Sequence, residues 1–431
     1  MSNSVDEFLS KKGIKKFKNG VQAFMQKQAV KAAAVSMVLA SAFAGPALAQ
    51  KMQPRDSGRV VTSYAVTEKG DTLCSYQAVQ KDSASFARLE KLVNNATKSR
   101  TGREILRQVS EQGTTLYVDF AGNGTVGFFD PSNNSICLNP SFNDGNLQSC
   151  LIHEGKHSIQ SAALNKGADY AYDYASNVMT SRVMEADAMA TQTKFSYEMA
   201  QAGDSLAWKE LATGFPHVTK AFEKGVDAHG ENSKKTMKAT MLAWYQNKNY
   251  VKCYDAKMAN FHARFVVAAP DSLMKNAFQK TMSADFLVRQ VCTMDGKPYA
   301  GRDGSILKTP QTAYLTSDVY EFASLISNAV QTRVDRRDDS ADSFYTFDID
   351  GNVSKKTYAQ RKAEKAKAAK SMKMAKGQDL PMFADTPQMA PGRAAEVNAV
   401  KNGASLYSKI SRASREPAFV VAAAAKKKNS R

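Results

Sequence analysis

Residues Leu151-Ile152-His153-Glu154-Gly155-Lys156-His157 place two histidines four apart, with a glutamate directly after the first. On a helix, residues four apart share a face, so both imidazoles can reach one metal ion while Glu154, one step round, reaches a water on that ion. Zinc suits such a set. It lowers the pKa of the water toward about 7 and polarises a carbonyl, and Glu154 then takes the proton and passes it to the leaving amine. Two of the chain's five histidines fall in this motif. The competing reading is a structural histidine pair.

A zinc site of this kind takes a third protein ligand and keeps one position open. The nearest donors are Glu185 and Asp187, in the stretch Ser181–Ala190. Two residues apart on a helix, they point to different faces, so only one can coordinate. Glu185 neighbours Ser181, Ala188 and Gln192, close to the side of Met184 and Ala188 that should pack inward, whereas Asp187 shares its side with Lys194, read as a surface residue. Glu185 is therefore the expected ligand and Asp187 a partner that orients a ligand histidine. Ala186, Ala188 and Ala190 are small enough to let two helices approach closely.

The elements that must position these groups can be read from periodicity and turn residues. Phe86, Leu89, Leu92 and Val93, then Ile105, Leu106 and Val109, predict two helices, or one broken near Gly102. Three β-type runs follow, Thr115–Phe120, Thr125–Asp130 and Ser135–Leu138, separated by Ala121-Gly122-Asn123-Gly124 and Pro131-Ser132-Asn133-Asn134; a three-stranded antiparallel meander is the economical reading. After Asn143-Asp144-Gly145 a helix should run over 147–165 and a second over 176–202. Residues 205–345 read as mainly helical, the better segments being 206–211, 234–245, 258–267, 273–291 and 319–334. The fold class is α+β: a small antiparallel sheet, the motif helix, a glutamate-bearing helix, a mainly helical C-terminal part and a disordered basic tail. The expected divisions are 1–49, 50–82 as an N-terminal extension, 83–203 as the core, 204–345 and 346–431.

The net charge of +18 invites a nucleic-acid reading, but its distribution argues against one. Residues 1–49 carry seven lysines against two acidic residues, and residues 351–431 carry eighteen basic against five acidic, leaving 34 of each sign over 50–350. A basic groove would put the excess in the part that folds. The lysines before residue 32, the apolar run Ala32–Ala44 and the small residues up to Ala49 match a secretory signal peptide, so export to the periplasm or medium is expected, with a cytoplasmic protein as the alternative. That run is too short to span a bilayer. The tail, rich in Lys and Ala from Lys355 to Lys376, reads as solvated and flexible, with an anionic surface or partner as its functional reading. Cys74, Cys137, Cys150, Cys253 and Cys292 show no C-x-x-C pair, and Asp348-Ile349-Asp350-Gly351-Asn352 departs from a calcium loop in its glycine and its twelfth position.

Strands, then Ser135-Ile136-Cys137-Leu138-Asn139-Pro140, then the helix carrying His153-Glu154-Gly155-Lys156-His157 and a later one carrying Glu185-Ala186-Asp187-Ala188 resemble the zincin metallopeptidases of the gluzincin type. The chain is most similar to a bacterial metallopeptidase domain known mainly from uncharacterised proteins, and Thr101-Gly102-Arg103-Glu104-Ile105-Leu106 is similar to a stretch in related secreted zincins. The resemblance covers about residues 83–200. It implies a zinc peptidase and an extended substrate paired to the strand before the active helix, here Ser135–Leu138. Gly155 stands where an aliphatic residue is more usual, and Met189 where some gluzincins carry Asp or Asn.

The leading functional reading is thus a Zn²⁺-dependent, exported peptidase acting on protein or peptide, with His153, His157 and Glu185 as ligands and Glu154 as general base. Alternatives are a non-catalytic exported interaction protein working through its basic tail, and a metal-dependent amidase acting on a cell-envelope substrate. The oxyanion of the reaction needs a donor besides the metal. Tyr170, Tyr172, Tyr174, His217 and His229 are candidates that the sequence does not separate. Cys150 reads as a core residue.

Overall fold

The computed structural model describes residues 58–120, 124–164, 169–347 and 351–377. Strands β1 (Arg59–Val66), β2 (Thr72–Gln80), β3 (Thr115–Val118), β4 (Gly127–Asp130) and β5 (Ser135–Leu138) form one sheet in the order β1-β2-β3-β5-β4. The first two pair antiparallel and lie in the segment 50–82 that the sequence suggested as an extension ahead of the core. β2 and β3 are parallel, β3 and β5 are parallel, and β4 and β5 form an antiparallel hairpin.

The antiparallel meander is therefore corrected to a mixed sheet. Pairing Leu116 with Ile136 and Val118 with Leu138 joins four aliphatic side chains in one core, a gain that direct β3–β4 pairing would forgo. A second correction follows. Ser135–Leu138, expected as a peptide-binding edge, lies inside the sheet, and β4 is the edge strand on that side.

The helical stretch before β3 divides into α1 (Ser83–Ala96) and α2 (Arg100–Glu111), because the Ser99 hydroxyl accepts the Gly102 amide hydrogen and starts a new helix. Helix α3 (Asp144–Ala163) carries the histidine motif and is capped by the Asn143 side chain, which accepts from the Asn146 amide. Asp144 in its first turn is paired with Arg88 and Lys91, fixing the start of α3 against α1. Helix α4 (Tyr174–Gln201) carries Glu185 and is capped by Asp173. Leu147, Leu151 and Ile152 of α3 and Phe195 and Met199 of α4 join the sheet core, while Val183, Met184 and Met189 of α4 enter a second core. Buried on both sides, α4 is the central helix.

The remaining helices are α5 (Leu206–Gly214), α6 (Pro216–His229), α7 (Lys234–Trp244), α8 (Lys248–Ala268), α9 (Asp271–Met274), α10 (Ala284–Gln290) and α11 (Ser317–Val334), with a short β6–β7 hairpin (Thr293–Met294, Lys297–Pro298) between the last two. The single helix expected over 273–291 is broken: residues 275–278 turn, Phe278 takes a positive φ of 57°, and the Phe278 and Lys280 amides donate to the Tyr170 and Ala171 carbonyls. α6 had no distinct signal of its own in the sequence reading. Residues 358–377, in the segment read as a flexible tail, form helix α12, described by itself. The signal-like residues 1–49, Asp348-Ile349-Asp350 and the chain beyond 377 lie outside the described residues. All five cysteines are free thiols, and no described helix is long and apolar enough to cross a membrane.

Candidate metal centre

Helices α3 and α4 pack side by side and bring His153, His157 and Glu185 together, one ligand atom from each lying within 4.8 Å of the others. The two Nε2 atoms are 3.1 Å apart. Glu185 offers Oε2 to His153 Nε2 at 3.4 Å and Oε1 to His157 Nε2 at 3.5 Å. All three side chains are buried.

The polar groups behind the ligands fix which ring nitrogens face inward. Gln160 gives its amide hydrogens to the Met184 carbonyl (3.0 Å) and to Asp187 Oδ2 (2.7 Å), which leaves its oxygen for His157 Nδ1 at 2.8 Å. His157 therefore donates from Nδ1 and keeps the lone pair of Nε2 for the centre. Gln192 Oε1 stands 2.9 Å from His153 Nδ1 in the same relation. Neither Glu185 oxygen has a hydrogen-bond donor among the described residues. Two imidazole lone pairs converging with a bare, buried carboxylate make an arrangement that requires a cation between them. The donor set thus fits a metal ion.

Charge in the cluster agrees. Burial works to lower the His157 imidazole, but the Glu185 carboxylate, and Glu154 behind it, overcome this and push it up to about 9. For Glu185, burial works upward, and the two histidines outweigh it and hold the carboxyl well below the usual range.

Asp187 lies one layer further out than the sequence suggested. It does not touch a histidine; it accepts from Gln160 and from the Tyr299 hydroxyl (2.7 Å) and pairs with Lys156 at 3.2 Å, so it acts on His157 through Gln160. Lys194, read as a surface residue, is buried and paired with Glu198. Lys156, the last residue before His157, also reaches the Thr293 carbonyl at 2.9 Å and ties α3 to β6.

Glu154 turns toward the sheet. Its Oε2 accepts the Phe129 amide hydrogen at 3.0 Å, from the edge strand β4. That approach depends on Gly127, where a Cβ would lie 2.5 Å from the Cys137 carbonyl and 2.8 Å from Cys150 Sγ. Cys150 lies in the sheet core, and burial pushes its thiol far above the ordinary range, so it is a packing residue.

The model of a family described as the "Putative metallopeptidase family" (DUF6782) matches residues 66–300, more than half of the chain. The chain belongs to this family. The matched span contains β2 to β5, only the last residue of β1, helices α1 to α10 and the β6–β7 hairpin. No curated protein and no solved structure matches the chain. Family membership and the His153–His157–Glu185 cluster together support a metal-binding hydrolase.

The oxyanion candidates named from the sequence lie elsewhere. Tyr170 stacks on Phe261 and Phe265, Tyr172 bridges to Lys280, and Tyr174 packs on His262. His217 is beside Phe215, and His229 is exposed at the end of α6. The residues on which the charges of both Glu185 and Glu154 act are Tyr254 and Lys257 of α8. Neither belongs to a local motif, so only the packing of α8 on α4 reveals them.

Proposed function

We propose that the chain is a zinc-dependent metallopeptidase of the gluzincin type, with His153, His157 and Glu185 as ligands and Glu154 as general base. The observation that carries this is the inward convergence of both Nε2 atoms on Glu185, with the Nδ1 positions tied to Gln160 and Gln192. Two nitrogens and one carboxylate suit zinc with a position left for water, and bound zinc would acidify that water and polarise a carbonyl. The chain's own groups do the rest. Gln160 and Gln192 hold the imidazole tautomers, and the Phe129 amide holds Glu154 at the turn of α3 next to the ligands, where its carboxylate can accept a proton from water and return it to the departing amine nitrogen. The nearly complete burial of Glu154 and of the ligands excludes bulk water, so substrate entry requires an opening motion.

Protein or peptide is the substrate class this chemistry supports, and the pattern of residues 1–49 supports action outside the cytoplasm. The test is elemental analysis of the purified chain together with cleavage of an unstructured protein such as casein. Glu154→Gln should retain zinc and lose hydrolysis by at least about 100-fold, and His153→Ala should lose the metal. Undiminished hydrolysis by the Glu154 variant would overturn the mechanism.

A further inference from the structure

Tyr254 is 1 % exposed, yet its hydroxyl has no hydrogen-bond partner among the described residues. Buried phenol groups nearly always find one, and leaving it unmade costs about 1–3 kcal/mol. On the helix packed against α8, both Glu185 oxygens are likewise buried without a donor. A donor and an acceptor left unmet on two packed helices, with Arg182–Asp255 pairing those helices one turn away, mark a place built for something that binds both.

The register that brings them together is locked. Arg182, one turn before Glu185 on α4, makes a two-pronged ion pair with Asp255, the residue after Tyr254 on α8, through Nε–Oδ1 and Nη2–Oδ2 contacts of 2.7 Å each. Both partners are buried, and a further Arg182 bond to the Thr312 carbonyl at 2.8 Å holds the guanidinium in place. The Tyr254 ring is wedged between Trp244, at a centroid distance of 5.7 Å, and Lys257, whose Nζ sits 4.6 Å from the ring centroid. The phenol is thus aimed by packing and by an ion pair, with no hydrogen bond of its own. Glu185 is the foremost charge acting on it and Glu154 the next.

We infer that Tyr254 is a catalytic residue whose hydroxyl donates a hydrogen bond to the oxyanion formed when water adds to the scissile carbonyl. The inference rests on the peptidase reading above. In the step it serves, the water oxygen bonds to the carbonyl carbon, Glu154 takes the water proton, and the carbonyl π pair moves onto oxygen, where the Tyr254 O–H meets it. The oxyanion pair then re-forms the C=O bond as the C–N bond breaks, its pair leaving on nitrogen, to which Glu154 delivers the proton. Tyr254 keeps its own proton throughout.

The experiment compares the full-length, metal-loaded wild-type chain with Tyr254→Phe and Lys257→Met, using casein cleavage and a phosphinic pseudopeptide that copies the sequence of a cleaved site and mimics the tetrahedral anion. Tyr254→Phe keeps the ring and its packing, so metal content and Tm should be unchanged. Its kcat should fall about 100- to 1,000-fold with KM within a few-fold. Affinity for the phosphinic peptide should fall by a similar factor, whereas affinity for a product peptide should not change. Unimpaired kcat and phosphinic affinity in Tyr254→Phe would overturn the assignment, as would a loss of metal or of Tm, or the same loss arising in Lys257→Met alone. A wild-type chain that neither holds metal nor cleaves casein would remove the peptidase reading and Tyr254's role with it. An active wild type with an unaffected Tyr254→Phe would remove only the latter.

Discussion

A Cβ on Gly155 would lie 2.6 Å from Ile105 Cγ2 and 3.2 Å from Val109 Cγ2. The glycine inside the histidine motif is therefore the contact that lets α2 lie against α3. Thr101, at the start of α2, gives its amide and its hydroxyl hydrogen to Glu198 of α4, at 2.7 and 2.9 Å. The stretch Thr101–Leu106 thus docks α2 on both ligand helices. Gly155→Ala should gain about 1 kcal/mol of helix propensity and lose about 1–3 kcal/mol to overpacking, for a net loss of stability. Denaturant unfolding of Gly155→Ala, Ile105→Ala and the double variant measures the coupling; strictly additive effects would show that the close approach does not matter.

Gln160 is the link between His157, the proposed metal ligand, and the buried Asp187. Gln160→Leu should leave the ligands in place but free the His157 ring, weakening metal affinity by about 10- to 100-fold. Tyr299→Phe, two contacts further from His157, should weaken it less. Competition titration with a zinc indicator gives both values, and equal affinity in Gln160→Leu and wild type would contradict the relay.

Removing metal should not unfold the chain. The seam between α3 and α4 is also held by Gln160 to Met184 and Asp187 and by the Lys156–Asp187 pair. Chelator-treated protein should keep its far-UV circular dichroism, and added metal at 100 times its Kd should raise stability by about 2.7 kcal/mol. Thermal scans with and without chelator test this; complete loss of the folded signal on chelation would refute it.

His262 is buried with only Nε2 bonded, to Asn177, and burial pushes its imidazole down to about 3. The unfolded chain takes up this proton near the ordinary value of 6.5 and the folded chain does not. Stability is therefore present above pH 6.5 and falls by about 1.4 kcal/mol per unit as pH drops toward 3. His262→Leu should flatten that part of the profile, because Asn177 keeps the Asp169 and Tyr172 carbonyls as acceptors. Denaturant midpoints between pH 4 and 7 decide it.

The clustering of His153, His157 and Glu185 was legible in the sequence because its signal is local. A spacing of four on one helix sets His153 against His157, and helical spacing within α4 separates Glu185 from Asp187. Gln192 was named beside Glu185 by the same periodicity and proves to hold His153. What periodicity could not show depends on distant packing. Lys194 looked like a surface residue because its charge was weighed without Glu198 and Thr101 around it. The strand order escaped notice because β3, β4 and β5 are short and apolar on both faces, so alternation did not choose their neighbours. Tyr254 has no motif at all, and its place is set by an arginine on another helix.

The 3.1 Å separation of the two imidazole nitrogens has a further consequence. Two electron pairs at that range, beside a buried carboxylate, favour a positive charge between them. A proton and a metal ion are therefore rivals for one point in space. Acidification should favour the first and alkaline conditions the second, so the fraction of protein carrying metal becomes a function of the proton activity around it.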